Sequence, residues 1–245
     1  PKHFPLCLRP SDPAMVKPTF KVRLVNSVAE LKNFVASFQK IEKPIIAQPF
    51  MNMPNLVVHG ARTVTGSTIG LQAFLVERKF EGVTLTIRPT SLDKALSDKC
   101  VAFTDHFNLV GNYHFEFLVD PATGSTYFLE LNNRLGGTTA KVYACGYDEP
   151  LLALQVYGVI ESSNQKKIRN VVVSSKQALL KYLLYTVKGG LTPLDYLTES
   201  SALRIAKTLY GLLAYRDDVF TLCDVRGALA LYLGNIRRLL GSKTG

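Results

Sequence analysis

Little in this 245-residue sequence offers sulfur or imidazole chemistry. Its four cysteines, Cys7, Cys100, Cys145 and Cys223, are widely spaced, with no Cys-x-x-Cys pair and no histidine at a matching interval. That pattern argues against a zinc centre and a disulfide framework, and it fits a reducing, cytoplasmic setting. His106 and His114 have no serine or cysteine partner at a spacing that suggests nucleophilic catalysis, so both are expected to be structural. No apolar run approaches the roughly 18–20 residues of a membrane span, and no signal-peptide pattern is visible. No membrane partner is therefore expected. Repeats and low-complexity tracts are missing too. The chain begins at Pro1 without Met, as expected of a fragment or a processed product.

What is present describes a folded protein, with 47% hydrophobic and 20% charged residues. The net charge of +10 favours polyanionic ligands. The basic residues are scattered, however, and the densest cluster is Lys166-Lys167-Ile168-Arg169. Without an aromatic-interleaved basic stripe, nucleic acid is not an expected partner. Nucleotide phosphates suit the charge better.

The most informative stretch is residues 111–120, GNYHFEFLVD, continuing through 127–134, YFLELNNR, to Gly136-Gly137. It predicts two strands joined by a turn, with Pro121 and Gly124 supplying the turn conformations. Side chains two apart on a strand share a face, so His114, Glu116 and Leu118 point one way. On the second strand Phe128 and Glu130 are expected to share a face, continued by Asn132. The hairpin can thus bring Glu116, Glu130 and Asn132 to one point, an all-oxygen set that suits Mg²⁺. Arg134 lies just beyond, able to hold a phosphate through its fork of donors. Both carboxylates sit in apolar runs, which predicts burial and a need for a cation.

This combination of two acids, Asn and Arg in apolar framing resembles the metal-binding end of the ATP-grasp superfamily. The nearest flavour is that of biotin carboxylase and carbamoyl-phosphate synthetase, carboxylate–amine ligases. The resemblance implies an α+β fold: a small lid subdomain over residues 1–50 and an antiparallel-sheet large subdomain over 51–160, followed by a mainly helical region, 161–245. It implies ATP with Mg²⁺, or Mn²⁺ in its place, and small-molecule carboxylate and amine substrates. Glu116, Glu130 and Asn132 would bind the metal, and Arg134 would contact phosphate or the acyl-phosphate intermediate.

The same resemblance assigns further residues. Residues 4–10, FPLCLRP, take the place of the strand that opens the lid, with Arg9 where a phosphate-binding Lys is usual. The next segment, 11–19, contains no glycine, unlike the Gly-rich lid loop of the family. Residues 44–50 match the hinge whose backbone reads adenine, near Ala47 and Phe50, with Pro49 in place of a common acid. Lys79 and Arg88 are candidates for phosphate contacts, and Thr138 and Thr139 for the acceptor side.

Between these points the patterns predict a strand over 20–25 and, from a capping box at Ser27 and Glu30, a helix to Phe38 with Leu31, Phe34, Val35 and Phe38 inward. Strands follow over 55–60, 71–77 and 83–88. A helix capped near Ser91 runs to about 108. After a stop at 146–150, a helix is expected over 151–157. Beyond the polar connector 161–167, a short strand at 171–173 precedes helices over 176–187, 201–215 and 225–240, with a turn at 193–196 between the first two. Their apolar stripes, Leu179, Leu180, Leu183, Leu184 and Val187 on the first and Ile205, Leu209, Leu212 and Leu213 on the second, would dock on the large subdomain or form a homodimer surface. The alternative to a ligase is a degenerate domain that binds nucleotide or a protein without turnover.

Overall fold

Alternating apolar and polar residues become strands in both units of the computed structural model, which describes residues 4–161, 167–195 and 199–241, with side chains described to Gly234. Lys166 of the basic cluster, Tyr196 at the expected turn and most of the polar connector lie outside the described residues. The chain divides into residues 1–52 and 53–245.

The first unit holds strands Leu6–Pro10 (β1), Val16–Lys17 (β2), Arg23–Val25 (β3), Lys40–Ile41 (β4) and Ile45–Pro49 (β5), and helix Val28–Ala36 (α1). β1 is central in an antiparallel sheet of order β3-β1-β5, and β2 pairs with β4. The expected cap forms with its return bond one residue earlier than in a standard capping box: the Ser27 hydroxyl accepts from the Glu30 amide at 3.1 Å, and Glu30 accepts from the amide of Asn26, just before the cap, at 2.8 Å. Phe34 and Phe38 pack against Phe20 at centroid distances of 5.1 and 5.6 Å. Val35, expected inward, is 46% exposed, because this unit gives α1 only one narrow apolar partner surface. The glycine-free stretch forms a 3₁₀ turn, Pro13–Met15, whose start is capped by Asp12, and then enters the β2–β4 ribbon.

The second unit is built on strands Asn55–Arg62 (β6), Thr68–Phe80 (β7), Val83–Thr90 (β8), Gly111–Val119 (β9), Thr126–Asn132 (β10), Val173–Ser174 (β11) and Arg216–Asp217 (β12). They form one sheet of order β10-β9-β6-β7-β8-β11-β12, antiparallel except for β11–β12. The helices are Lys94–His106 (α2), Thr139–Ala144 (α3), Glu149–Val156 (α4), Lys176–Val187 (α5), Ser201–Ala214 (α6) and Val225–Gly241 (α7). On one sheet face Leu56, Val58, Tyr113, Phe115 and Phe117 pack with Leu96 and Cys100 of α2. On the other, Val57, Ala61, Phe74 and Val76 pack with Val142, Tyr147 and Leu152 from the α3–α4 region. Among the described residues no helix is long and apolar enough to cross a membrane.

Several local expectations are corrected. α2 is capped by Asp93, which accepts from the Leu96 amide at 3.0 Å, so the helix starts at Lys94, three residues after Ser91. α4 begins at Glu149 under an Asp148 cap, with Pro150 in its first turn where a missing N–H costs nothing. The short strand expected at 171–173 forms at Val173–Ser174, and it extends the sheet together with β12, which was not expected. α5 buries Leu179, Tyr182 and Thr186, whereas Leu180, Leu184 and Val187 are exposed. α6 buries Arg204, Thr208 and Gly211, and Leu209 and Leu213 face outward. These helices are apolar on more than one face, so the stripe alone did not fix which side docks.

Candidate metal and phosphate site

Register across the sheet decides which side chains meet. Asn55 lies opposite Leu118, Val57 opposite Glu116 and His59 opposite His114, so Asn55, His59, His114 and Glu116 share the face that α3 and α4 cover. On the next strand Glu130 is opposite Glu116, and Asn132 opposite His114. The three expected oxygen ligands are therefore brought together.

They meet by a different route from simple alternation. Phe128 pairs with Phe117, but Glu130 pairs with Glu116, which leaves Leu129 as one extra residue in β10. The bulge puts Phe128 on the opposite face, against Phe117 and Phe115 at centroid distances of 5.9 and 6.4 Å. Phe128 and Glu130 thus do not share a face. If Leu129 instead paired with Glu116 in continuous register, Glu130 would fall opposite Phe115 and point into that aromatic cluster. Deleting Leu129 leaves Phe128 opposite Phe117 and Glu130 opposite Glu116 by plain alternation, so Mg²⁺-dependent nucleotide binding should survive the deletion, with binding read by calorimetry and the sheet by circular dichroism. Lost binding would mean that Glu130 does not keep its place opposite Glu116 once the strand is straightened.

Burial also differs between the acids. Glu116 is partly buried, with 28% of its side chain exposed, whereas Glu130 is exposed despite its apolar neighbours, because β10 is an edge strand. Burial raises the Glu116 carboxyl above its ordinary range, and the like charge of Glu130 adds to this; Lys79 and an Asn55 amide 3.4 Å away oppose it. Burial likewise lowers the Lys79 ammonium, which Glu116 partly offsets. Lys79 is therefore within electrostatic reach of Glu116. Asn132 donates to Glu130 at 3.0 Å, and its oxygen accepts from the Arg134 guanidinium at 3.3 Å. A second Arg134 nitrogen donates to the Leu135 carbonyl at 3.1 Å.

This set fits a hard cation. Two carboxylates directly opposite each other repel unless a cation lies between them, and the Asn55 side-chain oxygen beside them is buried without a partner. No group of three or more His, Cys, Asp or Glu converges among the described residues, so the donors are two acids and amide oxygens. Oxygen-only sets of this kind suit Mg²⁺ and leave positions for phosphate oxygens and water.

The other candidates separate. Arg88 is opposite Leu75, itself opposite Leu56, and so lies on the face away from Glu116; Glu77 holds it at 2.5 Å. In the first unit Arg9 is exposed, opposite Ile46. The Phe50 amide donates to the Pro5 carbonyl at 2.9 Å, so it is not free to read a base edge. Antiparallel bonding alternates, and the Ala47 backbone accordingly points to the outer edge of β5. Thr138 starts α3 without a side-chain cap bond, and the Thr139 hydroxyl donates to the Gly136 carbonyl at 2.8 Å.

Three contributors escaped the sequence reading, Asn55, His59 and Glu149, whereas His114 shares the face of Glu116 as expected. His59 and Glu149 are 90 positions apart and form a buried pair at 2.7 Å, each about 1% exposed. His114 stacks on His59 with centroids 5.4 Å apart and lies 3.8 Å from Glu116. His106 stays exposed at the end of α2. Burial first, and His59 second, push the His114 imidazole down to about 4. The unfolded chain, titrating near 6.5, binds a proton there that the folded chain refuses. Stability from this group is therefore full above about pH 6.5 and is lost as pH falls toward 4, on the order of 3 kcal/mol in all. His114→Gln should flatten that part of the urea-unfolding profile in EDTA, and an unchanged slope would contradict this origin.

No family model matches the sequence, and no curated protein does. Solved structures do match. The ADP complex of purK, an N5-carboxyaminoimidazole ribonucleotide synthetase, superposes with a TM-score of 0.54 at 15% identity over 84% of this chain and 61% of that one. The N5-carboxyaminoimidazole ribonucleotide synthetase of Thermus thermophilus gives 0.54 at 12% identity, over 69% and 46%. The biotin carboxylase domain of Hydrogenobacter thermophilus 2-oxoglutarate carboxylase, complexed with MgADP, ADP and bicarbonate, gives 0.50 at 16% identity, over 69% and 40%. This chain thus spans about two-fifths to three-fifths of the length of these relatives. Together with the sheet order and the hairpin register, these likenesses identify the fold: the chain has the ATP-grasp fold.

Proposed function

We propose that this chain is the nucleotide- and metal-binding part of an ATP- and Mg²⁺-dependent ligase of ATP-grasp type, which forms an acyl phosphate from a carboxylate for capture by an amine. The observation that carries the reading is the register of β9 with β10, which sets Glu116, Glu130 and Asn132 on one face. The solved ATP-grasp structures, one of them holding MgADP, support the ligand class. Glu116, Glu130 and Asn132 would hold Mg²⁺, whose contribution when bound is to neutralise triphosphate charge. Arg134, already oriented by Asn132, would take a phosphoryl oxygen through its remaining donors. Lys79 would supply a second positive charge from its half-buried place within electrostatic reach of Glu116. Arg9, and the Ala47 backbone, keep phosphate and adenine roles by resemblance within their own unit. The apolar side chains exposed on α5 and α6 support a homodimer surface.

The test is thermal melting with AMPPNP, with Mg²⁺, and with both. A midpoint that rises only with both supports the nucleotide–metal site. A midpoint that never moves favours the second reading, a degenerate interaction module. That reading draws on the glycine-free 3₁₀ turn where the family has a flexible phosphate-covering loop.

A further inference from the structure

Beside the oxygen set stands a buried group with no part in the reaction proposed above. Glu149, the first residue of α4, is fixed through its carbonyl, which accepts from the Asn112 side chain at 2.8 Å. One carboxylate oxygen meets His59 Nδ1 at 2.7 Å, and the other is bonded by the Thr139 hydroxyl. Thr139 also reaches back to Gly136: its amide donates to the Gly136 carbonyl at 3.2 Å, and its hydroxyl, 2.8 Å from the same oxygen, shares its single proton between that carbonyl and Glu149. Gly136 rests on His114, since a Cβ there would come within 3.2 Å of the imidazole Cε1. His114 in turn lies between His59 and Glu116.

A buried hydrogen-bonded polar pair is a poor device for stability alone, because apolar side chains of the same shape do as well. A loop containing Gly136-Gly137, in contrast, loses much backbone freedom when ordered and needs a tether. We infer that Glu149 and Thr139 are positioning residues for the metal and phosphate site. They fasten Gly136 over His114, and with it the segment from Arg134 to Thr139, so that Arg134 and Glu116 are held in fixed relation. This rests on the nucleotide–Mg²⁺ reading. Partners that orient first ligands commonly change metal affinity by about 10–100-fold when removed.

The experiment compares Thr139→Val with Thr139→Ser and Glu149→Gln. Amide exchange over 134–139 is measured on metal-free protein, and the Kd for AMPPNP with Mg²⁺ by calorimetry. Valine keeps the shape of threonine but removes the tether. It should speed exchange over 134–139 by about tenfold, leave β6–β9 protected, and weaken binding by about tenfold or more. Serine restores the hydroxyl. In Glu149→Gln the amide oxygen still accepts from His59, while its NH₂ donates to the Thr139 oxygen and frees that hydroxyl for Gly136. Both variants should stay within about threefold of wild type, a rescue that simple packing loss would not show. Unchanged exchange in Thr139→Val, or faster exchange with unchanged affinity, overturns the inference. A wild type that binds no AMPPNP with Mg²⁺ overturns the nucleotide reading instead, while the exchange data still report on the tether.

Discussion

Replacing Glu130 by alanine is expected to remove the Mg²⁺-dependent rise in melting midpoint entirely while leaving the apo protein as stable as before, or slightly more so. The two effects have opposite signs for one reason. Without metal, Glu130 is an exposed like charge directly opposite Glu116, and it contributes to the raised titration of that carboxyl. Removing it relieves repulsion. With metal and nucleotide, the same side chain supplies one of two carboxylates, and among the described residues no third acid joins them in a group that could hold a metal ion. A ligand at 100 times its Kd stabilises the folded state by about 2.7 kcal/mol, which for a unit of this size is roughly 5–10 °C. Differential scanning fluorimetry with AMPPNP and Mg²⁺ resolves that easily. A variant that keeps the full rise would place the metal elsewhere.

Glu149→Ala should produce the largest loss of stability from any single substitution near the site, about 3–5 kcal/mol. Against a total of about 5–15 kcal/mol for a typical protein, this is a large share. His59 is buried and its Nε2 already lacks a partner, so removing Glu149 leaves the imidazole with no partner on either nitrogen. Thr139 loses an acceptor in the same step. Glu149→Gln keeps an acceptor for His59 and should cost on the order of 1 kcal/mol. Urea midpoints at pH 7.5 compare the two variants. A loss below about 1 kcal/mol in the alanine variant would mean that the site collapses or admits water to satisfy His59.

How much of this was legible in the sequence depends on how local each signal is. Strands β6 to β10 and helices α1 and α2 follow from periodicity, turn residues and caps within a few positions of themselves. The Glu116–Glu130–Asn132 set was legible too, because Pro121 and Gly124 force the hairpin. Its route was not: Tyr127-Phe-Leu-Glu-Leu carries apolar residues on both faces, so nothing in it marks Leu129 as the extra residue. The exposure of Glu130 depends on β10 being the last strand, a property of sheet order rather than of its neighbours in sequence. His59 with Glu149 is beyond local reading for a similar reason. Glu149 sits among residues that announce a helix boundary, and its partner is a strand away in space but 90 residues away in the chain. The apolar run Val171-Val172-Val173 marked β11, but the two-residue strand β12 is too short for any periodicity, which is why the last strand of the sheet was not read.

The Leu129 bulge has a consequence for solubility. β10 closes one end of a seven-stranded sheet and leaves Tyr127, Phe128 and Leu129 at 40%, 54% and 39% exposure, a β-prone apolar run with unpaired backbone groups along its outer side. Such an edge is a template on which a second chain can add a strand, and natural sheets interrupt it with bulges and charges. Here the extra residue breaks the regular spacing of donors and acceptors, and Glu130 adds a charge immediately after it. The irregularity that aims a carboxylate at a cation therefore also keeps one copy of the chain from growing onto another, and a variant with a straightened edge should precipitate sooner on heating than any variant that loses only the carboxylate.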